Sequence, residues 1–177
     1  PFAARGALRA ALPAWLLWGG ARDLLRHCRQ PIFGVTTPQM YLKLAGCWTG
    51  GHEENVRFQS INVNHGPGPS RWWAVGARHA PRLRALVRRE FGVDVYSRES
   101  EGNWWPDARW LRARGVPVRT GLQRAGDVVV LRGGTLHWVR ALGPAAVATS
   151  WNFGRFDEAQ FAESLERYDI NNALTPR

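Results

Sequence analysis

Apolar positions recur at helical spacing near both ends of the chain and fall into short blocks between them. Leu8, Leu12 and Leu16, followed by Leu24 and Leu25, predict helix within residues 7–30. Pro13 and the Gly19-Gly20 pair divide it into two short helices. From Ile32 the pattern changes. Met40 to Leu44, Ser60 to Asn64, Trp72 to Val75, Asp127 to Leu131 and Ala146 to Trp151 are short strand-like runs separated by glycine and proline turns. Several short strands joined by such turns predict a sandwich or barrel. Ala80 to Phe91 reads as a surface helix, with Leu83, Leu86 and Val87 on one side and Arg82, Arg84, Arg88 and Arg89 mostly elsewhere. Trp104 to Arg114 reads as another. In the tail, Phe161, Leu165 and Tyr168 fall at helical spacing behind Asp157, a suitable N-cap.

At 177 residues and 45% hydrophobic content the chain suits one domain around a single core. It begins on Pro1 rather than Met, and so reads as a piece of a longer protein. No apolar run approaches the roughly 20 residues that span a bilayer, and the nearest, Ala10 to Trp18, is interrupted by Pro13. That proline and Trp15 also fit a targeting peptide poorly. Two cysteines, Cys28 and Cys47, are too few for a disulfide framework or a four-cysteine zinc site, so a reducing compartment is expected. A net charge of +10 favours acidic partners such as nucleic acid. Every basic residue but Lys43 is arginine, however, and with alanine and glycine so abundant, a genome rich in G and C accounts for the charge equally well.

Candidate chemistry concentrates in Gly51-His52-Glu53-Glu54-Asn55 and in Gly133-Gly134-Thr135-Leu136-His137-Trp138. Two histidines and one carboxylate can occupy one face of an octahedral Fe(II), leaving three positions for a bidentate cosubstrate and dioxygen. His52 and Glu54 are two apart, so an extended segment points both to one side. Such a spacing also arises among ordinary polar loop residues. Its placement at strand ends, with His137 just after the Val128 to Leu131 run, favours the metal reading. Lys43, as the single lysine, suits the distal carboxylate of 2-oxoglutarate inside a barrel. It shares a strand face with Tyr41, opposite Met40, Leu42 and Leu44. Ser60, Asn62 and Asn64 likewise share a face opposite Ile61 and Val63, a polar row that a ligand-filled interior would explain and solvent exposure would explain otherwise. Trp72-Trp73 and Trp104-Trp105 could form an aromatic cage for methylated lysine, but packing in a sandwich core is the expected role. His27, His65, His79 and both cysteines are expected to be structural or on the surface.

The ordered motifs Pro38-Gln39-Met40-Tyr41-Leu42-Lys43, Thr49-Gly50-Gly51-His52-Glu53-Glu54-Asn55, Ser60-Ile61-Asn62-Val63-Asn64 and Gly66-Pro67-Gly68 resemble the first half of the JmjC domain in UTX/UTY-type histone lysine demethylases. Trp104-Trp105-Pro106, Gly115-Val116-Pro117-Val118, Gln123-Arg124-Ala125-Gly126-Asp127, Gly134-Thr135-Leu136-His137-Trp138-Val139, Trp151-Asn152 and Leu165-Glu166-Arg167-Tyr168 resemble the second half, and Leu12-Pro13-Ala14-Trp15 has a counterpart upstream. The resemblance implies a mainly β, cupin-like jelly roll, the double-stranded β-helix, with flanking helices. One JmjC catalytic domain would span 1–177, with a helical flank at 1–30, the jelly-roll core at 31–155 and a C-terminal helix at 156–177. His52, Glu54 and His137 would be the catalytic Fe(II) ligands. Lys43, Thr49, Ser60, Asn62 and Asn64 would contact 2-oxoglutarate, and Tyr41 would lie near the substrate.

The implied activity is demethylation of methyl-lysine on a histone tail, lysine 27 of histone H3 being the implied target, in the nucleus, with Fe(II), 2-oxoglutarate and dioxygen. Nucleosomal DNA could lie along the Arg-rich segments 77–89 and 109–124. Alternatives are a protein hydroxylase of the same chemistry and a catalytically weak JmjC scaffold that binds chromatin. Three departures from the family stand out. Ala148 replaces an Asn usual three residues before the Trp-Asn pair, and the stretch from His137 to Trp151 is one residue longer. The family's zinc-binding module, which helps read the tail, is not among these residues. The extra arginines oppose a basic tail, so Glu53, Glu99 and Glu101, or a further module, are expected to supply its affinity.

Overall fold

The computed structural model describes residues 2–95 and 104–174. Its centre is a pair of four-stranded antiparallel sheets. One contains β1 (Gln39–Leu44), β8 (Ala145–Phe153), β3 (Gln59–Pro67) and β6 (Val128–Leu131), in that order. The other runs β2 (Trp48–His52), β7 (Leu136–Ala141), β4 (Ser70–Val75) and β5 (Arg119–Gln123). This is the jelly roll expected from the sequence. The apolar runs mark β1, β3, β4, β6 and β8. The strands β2 and β5 are too poor in branched apolar residues to stand out, and β7 begins one residue before His137, where the sequence suggested a turn.

An ordinary sandwich buries its apolar residues between the sheets, but here the two apolar clusters lie against their outer faces. Ile61, Val63 and Trp151 of the first sheet pack with Leu16 and Trp18 of the N-terminal segment. Val75, Leu136 and Trp138 of the second pack with Leu83, Leu86 and Val87 of α2 (Ala80–Phe91) and Leu111 of α3 (Ala108–Ala113). Because side chains alternate along a strand, the intervening positions face inward, and many of them are polar. Register pairs Ser60 with Asn152 and Asn62 with Ser150. Trp73 turns outward onto Trp105 at 5.1 Å between centroids, as expected of a core residue, whereas Trp72 faces inward.

The helices differ from expectation in two places. The N-terminal flank is one helix, α1 (Phe2–Ala11), followed by two single 3₁₀ turns at Ala14–Leu16 and Leu24–His27 rather than by a second helix. Pro13 stops α1, and buried Asp23 fixes the chain around the second turn by accepting bonds from the N–H groups of Gly19, Leu25 and Gly154. The helix α3 starts only after Pro106, where the Asp107 carboxylate caps the N–H groups of Arg109 and Trp110. The C-terminal helix α4 (Glu158–Leu174) is capped by Asp157 as predicted, yet Phe161, Leu165 and Tyr168 are exposed. The face of α4 turned to the protein carries Gln160, Ser164 and Arg167, the first of them fully buried.

Candidate metal and cosubstrate site

Neighbouring ends of β2 and β7 bring the three proposed ligands together. His52 closes β2 opposite His137 of β7, and Glu54 lies just beyond it in extended backbone. Donor atoms of His52, Glu54 and His137 all lie within 4.8 Å of one another, and His137 Nε2 is 3.6 Å from Glu54 Oε1. The packing of β2 against the Trp138 indole of its neighbour β7 requires a glycine beside the first candidate ligand. A Cβ on Gly51 would sit 2.3 Å from the indole nitrogen of Trp138.

Each ligand is held by a second partner. The Nδ1 of His52 lies 2.9 Å from the carbonyl of Gly50, and that of His137 lies 3.0 Å from the carbonyl of Thr135. A carbonyl can only accept, so both imidazoles carry their proton on Nδ1 and offer the Nε2 lone pair. The Asn152 amide donates to Glu54 Oε2 at 2.8 Å, leaving Oε1 toward His137. Burial, and then the neighbouring charge of His52, push His137 down to about 4, so it is neutral at physiological pH. An oriented imidazole pair with one carboxylate is a donor set that fits a divalent iron with open positions.

Beside these donors is a cavity of about 110 Å³ lined by Tyr41, Lys43, Thr49, Ser60, Asn62 and Trp72, among others. Lys43 donates to the Thr49 hydroxyl, and burial holds its ammonium below the usual lysine range. A partly desolvated cation with a hydroxyl beside it suits a carboxylate. Burial, then the charge of Glu54, raises the Tyr41 phenol, so it stays a protonated donor at the rim. Trp72 stacks on His137 with centroids 5.8 Å apart.

Of the residues singled out from the sequence, His52, Glu54, His137, Lys43, Thr49, Ser60, Asn62 and Tyr41 all line this one cavity. Asn64 does not. Its buried amide donates to the carbonyls of Gly68 and Gln123 and accepts from the Gly66 N–H, which fixes the bulge in β3. Glu53 points away from the cavity, and Glu99 and Glu101 lie outside the described residues. Cys28 and Cys47 are exposed thiols.

Two supporting residues carry little signal in the sequence. Asn152 is visible there only as half of a Trp-Asn pair. Gln123, buried in β5, accepts from Trp72 Nε1 at 2.8 Å and donates to the Asn62 side chain at 3.0 Å, tying both cavity walls together. Its only mark in the sequence is its place at the start of the Gln123-Arg124-Ala125-Gly126-Asp127 motif. Ala148 lines the cavity where an asparagine was expected from the resemblance.

Comparison with known proteins agrees with this geometry. Residues 39–153 match the JmjC domain, described as a hydroxylase. Human lysine-specific demethylase 6B is 38% identical over 160 residues, covering 90% of this chain and 9% of that protein. Lysine-specific demethylase jmjd-3.1 of Caenorhabditis elegans is 33% identical over 90% of this chain and 14% of its own length. Lysine-specific demethylase JMJ705 of rice is 29% identical over 76% of this chain. The chain therefore spans only about a tenth of the length of such relatives. The matched region contains both sheets and all three candidate metal ligands, and the chain belongs to the JmjC-domain family.

Proposed function

We propose that this chain is the catalytic domain, spanning 1–177, of a nuclear histone lysine demethylase that uses Fe(II), 2-oxoglutarate and dioxygen, with lysine 27 of histone H3 as its target. The observation that carries the reading is the convergence of His52, Glu54 and His137 beside a small cavity lined by Lys43 and Thr49. The names of the relatives support the substrate class. When loaded, such a centre supplies hydroxylation of an N-methyl group, with formaldehyde released from the product and succinate and carbon dioxide from the cosubstrate.

The protein's own contribution is to hold and orient. His52 and His137 present Nε2, and Asn152 sets the rotamer of Glu54. Lys43 and Thr49 take the distal carboxylate, Ser60 and Asn62 line its path, and Tyr41 donates at the rim. Trp72 shields His137 from water. Duplex DNA beside the histone tail is the proposed partner for the exposed arginines Arg82, Arg88 and Arg89 of α2 and Arg109 and Arg112 of α3.

The test is to incubate iron-loaded protein and 2-oxoglutarate with methylated and unmethylated histone peptides and with nucleosomes across a salt series, reading products by mass. Loss of methyl mass from the trimethylated lysine 27 peptide is the expected result. Gain of one oxygen on an unmethylated protein, with no demethylation of any peptide, would replace this reading with the hydroxylase. The observation favouring that second reading is the basic surface of α2 and α3, which opposes a basic tail.

A further inference from the structure

We propose that the inward polar face of α4 is a clamp on the metal-ligand loop, in which Gln160, Ser164 and Arg167 act as positioning residues that set the affinity of the site for its metal. The inference rests on the metal-centre reading and deepens it. Immediately after Glu54 the chain enters a turn at Asn55–Arg57 in which two non-glycine residues occupy left-handed backbone, Val56 at φ 45° and Arg57 at φ 54°. For a β-branched residue this is a disfavoured conformation, which persists only where the surroundings impose it.

The imposing contacts come from α4. Ser164 Oγ donates to the Val56 carbonyl at 2.9 Å, and Gln160 Nε2 reaches the carbonyls of Val56 and Arg57, each at 3.4 Å. Gln160 is completely buried, an unusual place for an amide unless its partners need it. Arg57 reaches back to Glu166 at 2.6 Å. Between the two ligands His52 and Glu54, the intervening Glu53 points the other way, as alternation in extended backbone requires. Its carboxylate, 1% exposed, lies 3.7 Å from Arg167 Nε and 3.9 Å from Arg57 Nε.

The same turn also bears on the second ligand arm. A Cβ on Gly133 would stand 2.0 Å from the Arg57 carbonyl oxygen, so the Gly133-Gly134 turn that leads to His137 packs directly on the clamped backbone. Thus α4 holds one turn, and that turn abuts the segments carrying all three ligands. Without the clamp, relaxation of Val56 toward ordinary backbone would re-aim Glu54 and loosen the seat of the Gly-Gly turn.

The test uses cobalt(II) as the metal probe, titrated into metal-free protein and read by its visible absorption, with thermal melting of each metal-free variant alongside. The combined Gln160→Leu and Ser164→Ala change is expected to weaken cobalt(II) binding about tenfold or more, the usual effect of removing support from metal ligands. In a Val56→Gly background, where the left-handed backbone is unstrained, the same pair should cost less than about threefold. Arg167→Met should weaken binding similarly and Arg167→Lys should restore most of it, while Leu165→Ala on the outer face of α4 should change nothing.

A melting temperature that falls while cobalt(II) affinity holds would overturn the clamp, as would equal losses with and without the Val56→Gly change. Failure of the unaltered protein to take up cobalt(II) would overturn the metal centre and the clamp together. Uptake by the unaltered protein and by every variant alike would remove the clamp only.

Discussion

Lys43→Ala isolates the cosubstrate half of the proposed site. The ammonium is the one lysine charge in the chain, it lies in the cavity wall, and its neighbour there is the neutral Thr49 hydroxyl. A carboxylate at about 4 Å gains on the order of 4 kcal/mol from such a charge at an effective dielectric near 20. The open rim and the remaining neutral donors of Thr49, Ser60 and Asn62 reduce the loss on truncation to about 2–3 kcal/mol, the low end of what breaking a desolvated charge pair costs. At about 1.4 kcal/mol per factor of ten, 2-oxoglutarate should bind roughly 30- to 150-fold more weakly. The assay is calorimetric titration of 2-oxoglutarate into manganese(II)-loaded protein, repeated with a 2-oxo acid that lacks the distal carboxylate. That second acid should lose almost nothing, because its only carboxylate belongs at the metal. Equal losses for both acids, or an unchanged affinity for 2-oxoglutarate in a variant that still binds manganese(II), would refute the assignment.

Asn152→Ala removes the donor that orients Glu54 and should lower cobalt(II) affinity about tenfold with the fold retained, as read by titration and circular dichroism. His137 sits at about 4 when folded against 6.5 when exposed. The unfolded chain therefore binds more protons between those values, and the metal-free protein should gain stability as pH rises through that window, with about 3 kcal/mol lost below it. Urea unfolding across pH checks this, and His137→Gln should remove that part of the slope; identical slopes would contradict neutral burial. Ala148→Asn places an amide on the cavity wall and should tighten 2-oxoglutarate about fivefold, near 1 kcal/mol for an added neutral hydrogen bond, by the same calorimetry; weaker binding would mean the wall has no room.

The convergence of the three candidate metal ligands was legible because its geometry is local. Two residues apart in extended backbone fixes His52 and Glu54 on one side, and a glycine turn after an apolar strand delivers His137 to the same end. The inward polar row was half legible. Alternation correctly groups Ser60 and Asn62 against Ile61 and Val63, but Asn64, paired with Ala148 just before the bulge, engages the Gly66 N–H and the carbonyls of Gly68 and Gln123 instead of lining the cavity, and nothing in a single strand announces a bulge in its pairing. Gln123 stands in the sequence only as the start of the Gln123-Arg124-Ala125-Gly126-Asp127 motif, and its role is hidden because its partners lie on β3 and β4, far away along the chain. The strand β2 is silent because Thr49, Gly50 and Gly51 supply no apolar alternation. What makes it a strand is the flat seat of Gly51 on Trp138.

The reversal of α4 shows why a hydrophobic period is not by itself a statement of burial. Phe161, Leu165 and Tyr168 have the spacing of a core stripe, and a reading from periodicity alone turns them inward. That face would then place no donor from α4 near the carbonyls of Val56 and Arg57 and would take Arg167 away from the buried Glu53 carboxylate, beside the candidate metal ligands. Removing one cation from a buried carboxylate and the donors from two carbonyls costs more than the exposure of three apolar side chains, each of which keeps part of its surface covered in any case. The polar stripe at Gln160, Ser164 and Arg167 therefore decides the orientation of the helix, and the apolar stripe is left outside. The sequence does contain this information, in the conjunction of Glu53 between two ligands with a basic and amide-bearing helix about a hundred residues later. It becomes readable only once the destination of Glu53 is known.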